Sequence, residues 1–176
     1  MMKKWIVFLL VAMGKFAHAQ LKPVDNGSSV QFKVKNLGFS VTGAFTGLSG
    51  TIRFDPNHPE EAAFDVNIDA NTVNTDNGMR DDHLRKSSYL DVQGHPRIHL
   101  QSEKITASGH KGSFVFAGQL TIKEKTLRVS FPFTAESTAG GYVFKGAFSI
   151  NRKDFDVGGT STISDKVDLV LSVTAK

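Results

Sequence analysis

The residues best equipped for chemistry crowd into one stretch, Thr75 to Pro96. Arg80, Asp81 and His83 fall within four positions there, with Asp82, Arg85 and Lys86 beside them. A carboxylate and an imidazole beside an arginine can act as an acid/base group on a substrate held nearby. Without any reaction, Arg80 or His83 could instead meet the polar end of a bound ligand. The third reading is a solvated crossover. Asp76 would cap a short helix starting near Asn77, and Arg85 and Lys86 would lie towards its C-terminus, where the dipole favours cations. Met79, His83 and Lys86 would then share a weakly apolar face.

Other constellations specify less. His95 and His99 are four apart, but Pro96 holds that stretch extended, so they are not the helical pair of H-E-x-x-H. Adding His83 and its neighbouring aspartates gives no spacing that calls for a metal, and none is expected. Gly47-Leu48-Ser49-Gly50 lacks the spacing of a nucleophile elbow. Ser108-Gly109-His110-Lys111 matches S-x-x-K only by letter, on a glycine turn rather than at a helix start. The chain has no cysteine, hence no thiolate chemistry and no disulfide. No cofactor is implied.

The elements that must hold the charged stretch are strands. They begin after a leader: Met1 to Lys4 is a basic start, Trp5 to Met13 an apolar run, and Ala17-His18-Ala19 supplies the small residues a signal peptidase reads. Residues 1–19 are therefore expected to be removed before Gln20, leaving 20–176 as a single exported domain, periplasmic or secreted. The apolar run falls short of the roughly 20 residues of a membrane span, so no stable insertion is expected. Loss of Lys3, Lys4 and Lys15 brings 21 basic residues to 18 against 17 acidic ones, which is no footprint for nucleic acid. Twelve of the 14 phenylalanines remain, against two tyrosines and no tryptophan. A phenylalanine interior brings bulk without a hydrogen-bonding handle, as a solid core or as the wall of a greasy cavity.

Period-2 alternation runs through most of this domain. Asp25-Asn26-Gly27 reads as a turn before a strand carrying Val30, Phe32 and Val34 inward. Asn36 to Gly43 reads as a looser connection, and Gly43, Gly47 and Gly50 mark bends or close approach in the strand that follows. Phe64, Val66 and Ile68 form the next face. Beyond the charged stretch come Ile98 and Leu100, then Phe114, Phe116, Leu120 and Ile122, then Leu127, Val129, Phe131 and Phe133. Tyr142, Phe144, Phe148 and Ile150 follow the Gly140-Gly141 hairpin signal, and Val167, Leu169, Leu171 and Val173 end the series. About eight strands joined by short turns, each with one apolar face, predict an all-β antiparallel fold. A sandwich and a closed barrel both fit; closure removes exposed edges and is favoured.

Asn74, Arg80-Asp81-x-His83-Leu84, Tyr89-Leu90-Asp91-Val92 and His95-Pro96-x-Ile98 resemble, in order and spacing, the signature of the YceI-like family. The resemblance continues through Gly118-x-Leu120-Thr121-Ile122-Lys123, Phe148-Ser149-Ile150-Asn151-Arg152-x-Asp154-Phe155 and Ile163-Ser164-Asp165-x-Val167. Departures are Tyr89-Leu90 where two aromatics are usual, His95 for a tyrosine, and Leu100 for a phenylalanine. The turn Lys123 to Thr126 also replaces a commoner glycine-containing one. The resemblance implies an eight-stranded antiparallel lipocalin-like barrel with a short helical segment between strands 3 and 4. Its interior would bind a long apolar molecule: a polyisoprenoid, an isoprenoid quinone or a fatty-acid derivative. Phe32, Phe64, Phe114, Phe116, Phe131, Phe133, Phe144 and Phe148 are the expected cavity lining, with Arg80 and His83 as a polar mouth. A homodimer would suit a long tail better than one cavity, though nothing in the chain defines an interface. Two alternatives stand beside the carrier: an enzyme using Arg80, Asp81 and His83 on an apolar substrate, and a structural module with a filled core.

Overall fold

Where the sequence alternates, the chain becomes sheet, and alternation decides which side chains turn inward. The computed structural model describes residues 20–160 and 162–176; the expected leader lies outside the described residues. Ten strands are formed: β1 (Gln20–Leu21), β2 (Pro23–Asn36), β3 (Phe39–Phe45), β4 (Ser49–Arg53), β5 (Ala63–Asp69), β6 (Arg97–Ala107), β7 (Ser113–Ile122), β8 (Lys125–Thr138), β9 (Gly141–Asn151) and β10 (Ile163–Ala175). One α-helix, α1 (Gly78–Leu84), lies between β5 and β6. All pairings are antiparallel, in the order β1-β4-β5-β6-β7-β8-β9-β10-β2-β3, and make one curled sheet. Burial alternates residue by residue along the whole of β7.

The expected eight strands become ten because two runs are interrupted. Lys22 separates β1 from β2, and Thr46 to Leu48 separate β3 from β4. The N-terminal run serves two partners. Gln20 and Leu21 pair with β4, while Lys22 exchanges backbone hydrogen bonds with Lys176 (2.7 and 3.0 Å) and Pro23 onward pairs with β10.

Two local expectations change. Asp25-Asn26-Gly27 is not a turn ahead of a strand but a bulge inside β2, where the register to β10 jumps between Ser172 and Thr174. The bulge aims the Asp25 carboxylate at the β3–β4 break, where it accepts hydrogen bonds from the Gly47 and Leu48 amides (3.1 and 2.9 Å). The loose connection expected over Asn36 to Gly43 is instead a tight hairpin, with Asn36 paired to Phe39. At Gly43 the expectation of close approach holds. A Cβ there would come within 2.3 Å of the Phe32 ring and 2.8 Å of the Thr75 side chain.

The interior has two parts. At one end Phe54, Phe64, Phe114, Phe133 and Phe144 interlock edge-to-face or stacked, with centroid separations from 5.1 to 6.4 Å, over Leu21, Ile52 and Ile105. At the other, Val73, Leu90, Leu120, Ile122 and Phe155 form a second apolar cluster beneath α1 and the turn Arg152–Phe155.

Candidate functional site: an apolar cavity beneath a pinned cap

Between the two clusters lies a cavity of about 230 Å³. Inward positions of β2 (Val30, Phe32, Val34) and β10 (Val167, Leu169, Leu171, Val173) supply one wall. The wall that continues from β10 onto β9, β8 and β7 is aromatic. Phe116, Phe131 and Phe148, from adjacent strands, stack with centroids 4.8 and 4.2 Å apart. Seven of the eight expected phenylalanines line the cavity: Phe32, Phe64, Phe116, Phe131, Phe133, Phe144 and Phe148. Phe114 does not. It shares the inward face of β7 but sits deeper, wedged between Phe54 and Phe133 (5.1 and 5.5 Å) in the solid end.

The cap is the charged stretch, and it descends on the cavity through apolar residues: Leu84, Tyr89 and Leu90 line it, with Val73 just ahead of the stretch. Asn77, not Asp76, caps α1, its side chain accepting from the Arg80 amide (3.0 Å). Asp76 stands outside the helix with φ of 58°. Asp81 is buried and accepts from both the amide and the hydroxyl of Thr75 (2.9 and 2.5 Å). Arg80 donates to the same threonine, through Nε to the hydroxyl (2.7 Å) and Nη2 to the carbonyl (2.8 Å). These groups therefore hold the entry to α1. Neither Arg80 nor His83 is among the cavity lining. His83 is exposed, its ring 4.9 Å from that of Tyr89, which does reach the cavity.

The sequence places Arg85 near the helix C-terminus but assigns this role to none of the cations that tie the cap down. Arg85 donates to the carbonyls of Asn71 and Val73 (both 2.9 Å). Lys123, in the β7–β8 turn, donates to the carbonyls of Ser87 and Asp156 (3.2 and 3.0 Å), joining the two halves of the cap. Arg152 is 4% exposed and clasps the loop after β9. Its guanidinium donates to the carbonyls of Val157, Gly159, Ile163 and Ser164 and to the Asp165 carboxylate, between 2.7 and 3.2 Å. The Gly158 amide donates to Ser88 (2.8 Å), and a Cβ on Gly158 would lie 2.5 Å from the Tyr89 ring. In the sequence Arg152 stands in the polar run Asn151-Arg152-Lys153-Asp154, which carries no signal that this cation is buried.

His95 and His99 do not converge on a common site. His99 meets Asp65 (2.9 Å), and His95 lies 3.7 Å from both Asp91 and Glu124. Among the described residues no three His, Asp or Glu side chains are grouped to hold a metal.

This arrangement can bind an apolar group out of water and hold it beneath a cap fastened by hydrogen bonds. The model of the YceI-like domain matches residues 21–175. A UPF0312 protein of Pseudomonas aeruginosa is 28% identical over 98% of this chain and 97% of its own length. One of Pseudomonas fluorescens is 30% identical over 98% and 96%. Among solved structures, BcnA of Burkholderia cenocepacia superposes with a TM-score of 0.79 at 25% identity, over 84% of this chain and 96% of that one. A polyisoprenoid binding domain from Saccharophagus degradans shares the fold, with a TM-score of 0.71 at 15% identity over 89% and 97%.

Proposed function

We propose that this chain, which belongs to the YceI-like domain family, is an exported carrier that holds part of a long apolar molecule in its cavity. Polyisoprenoids, isoprenoid quinones and fatty-acid derivatives are the ligand classes that fit. The observation that carries this reading is the apolar cavity of about 230 Å³ between a solid aromatic floor and a fastened cap. It is half again as large as the roughly 150 Å³ that takes up benzene in an engineered protein core. It is smaller than the roughly 300–1,000 Å³ of sites that enclose drug-sized molecules. The cavity therefore takes a terminal length of chain, and the remainder extends past the cap. Each methylene taken out of water contributes about 0.8 kcal/mol, so six to eight give roughly 5–6 kcal/mol before the cost of immobilising the tail.

We read the sheet as a lipocalin-like barrel of eight strands with its two interruptions counted through. The N-terminal run supports this, since it hydrogen-bonds to β4 and to β10 at once. The enzyme reading is weakened by the engagement of Asp81 and Arg80 with Thr75. Titration with a short-tailed isoprenoid quinone, followed by quenching of a tryptophan placed at Phe148, tests the proposal. Saturable quenching at one quinone per chain is expected; no saturable quenching sinks it.

A further inference from the structure

The β2–β3 hairpin breaks two local rules at once. Its turn residues, Leu37 and Gly38, have φ of 49° and 86°, in a two-residue loop closed by the pair Asn36 and Phe39. Positive φ at both positions is what a type I′ turn demands, and Asn-Gly or Asp-Gly normally fills it. A leucine there is conformationally disfavoured. It is also 73% exposed, and its neighbour Phe39 is 79% exposed, so neither is held in place by burial. Below the tip the outer face is basic. Lys33 and Lys35 stand opposite Thr42 and Ser40, and β3 carries no acid. Asp168 of β10 stands opposite Lys33 and feels its charge, but its hydrogen bonds go to Ser149 and Lys166, and Lys35 faces no acid across β3. Alternate residues of the same strand, Phe32 and Val34, line the cavity. The tip is fastened to the cap end by Thr162, whose hydroxyl donates to Asn36 Oδ1 (2.8 Å).

We infer that this hairpin docks the cap end of the molecule on an anionic phospholipid bilayer. Leu37 and Phe39 enter the acyl-chain boundary, and Lys33 and Lys35 meet the headgroup phosphates. Apolar tip, basic collar and cavity wall are one continuous piece of chain, so a ligand can pass between bilayer and cavity with little of it crossing water. This inference rests on the carrier reading for its purpose, though not for its chemistry.

The test is co-sedimentation of the purified protein with vesicles of phosphatidylcholine plus phosphatidylglycerol, and of phosphatidylcholine alone. Uptake of cis-parinaric acid, a fluorescent fatty acid, is measured in parallel without vesicles. The protein is expected to sediment with the anionic vesicles. Leu37→Asn combined with Phe39→Ser is expected to weaken that binding about tenfold or more and to leave parinaric acid uptake unchanged. Lys33→Gln with Lys35→Gln is expected to cost about fivefold per lysine, on anionic vesicles only. Because asparagine suits the turn, Leu37→Asn alone should keep or raise the thermal midpoint while reducing vesicle binding, which separates docking from folding. Vesicle binding by the double tip variant equal to that of the unmodified protein overturns the proposal. So does failure of the unmodified protein to sediment, whether or not light scattering shows a dimer that the tip variant splits. Vesicle binding that depends on the tip, without parinaric acid uptake, leaves docking standing and removes the carrier reading instead.

Discussion

Thr75 is gripped from two directions, by the Asp81 carboxylate and the Arg80 guanidinium, and this grip sets where α1 begins. Hydrogen bonds to a buried charged acceptor contribute about 1.5–3 kcal/mol each. Asp81→Asn keeps the shape but loses the charge, so it is expected to lower stability by about 1–3 kcal/mol in urea unfolding. An enzyme using Asp81 as a base would lose turnover with little change in stability, the opposite pattern. At the surface, Asp168 is held below the ordinary carboxylate range by the Ser149 hydroxyl and then by Lys166. A carboxyl depressed in the fold contributes stability above its unfolded pKa and loses it as pH falls through the folded one. Side-chain carboxyl NMR should therefore find Asp168 titrating low, with Ser149→Ala moving it back up. The sequence showed that Arg80, Asp81 and Arg152 were ionisable. It could not show their partners, because Thr75 and the carbonyls around Arg152 are brought in by the fold of the loops.

Among the elements, the strands with strict alternation were legible: β7 buries the face its sequence assigns, and β10 turns its apolar face to the cavity. Legibility failed where the same letters serve two structures. Asp25-Asn26-Gly27 has good turn chemistry, yet β10 runs alongside and converts it to a bulge. Leu37-Gly38 lacks the usual turn residues, so a tight hairpin read as a loose link. Alternation also gives the face of a side chain but not its depth along the strand, which is why Phe114 was grouped with Phe116. One is floor and the other is wall. The wall supplies its own prediction. Leu169 of β10 lines the cavity between its register partners Phe148 of β9 and Phe32 of β2, and Leu169→Phe should fill the space they border rather than displace packed atoms. It is expected to keep or raise the thermal midpoint, as cavity-filling changes do, and to weaken apolar ligand uptake about tenfold or more. Unchanged uptake would mean that the ligand sits elsewhere.

For the whole molecule, the carrier and filled-core readings divide the interior between them. Five interlocked phenylalanines fill one end, and the space begins only above them. Such a division gives a rigid base for a binding site and a cap built from separate loops joined by Arg85, Lys123 and Arg152. A ligand bound only by the folded chain adds about 2.7 kcal/mol at a hundred times its dissociation constant. For a chain of this size that raises the thermal midpoint by roughly 5–10 °C. The most direct measurement is native mass spectrometry of protein purified from its own cells without detergent. The carrier account predicts a mass above that of the chain, with an apolar lipid released at a ratio of one or fewer per chain, and loss of that extra mass in Leu169→Phe. A clean chain mass that takes up no added polyprenyl quinone would contradict it.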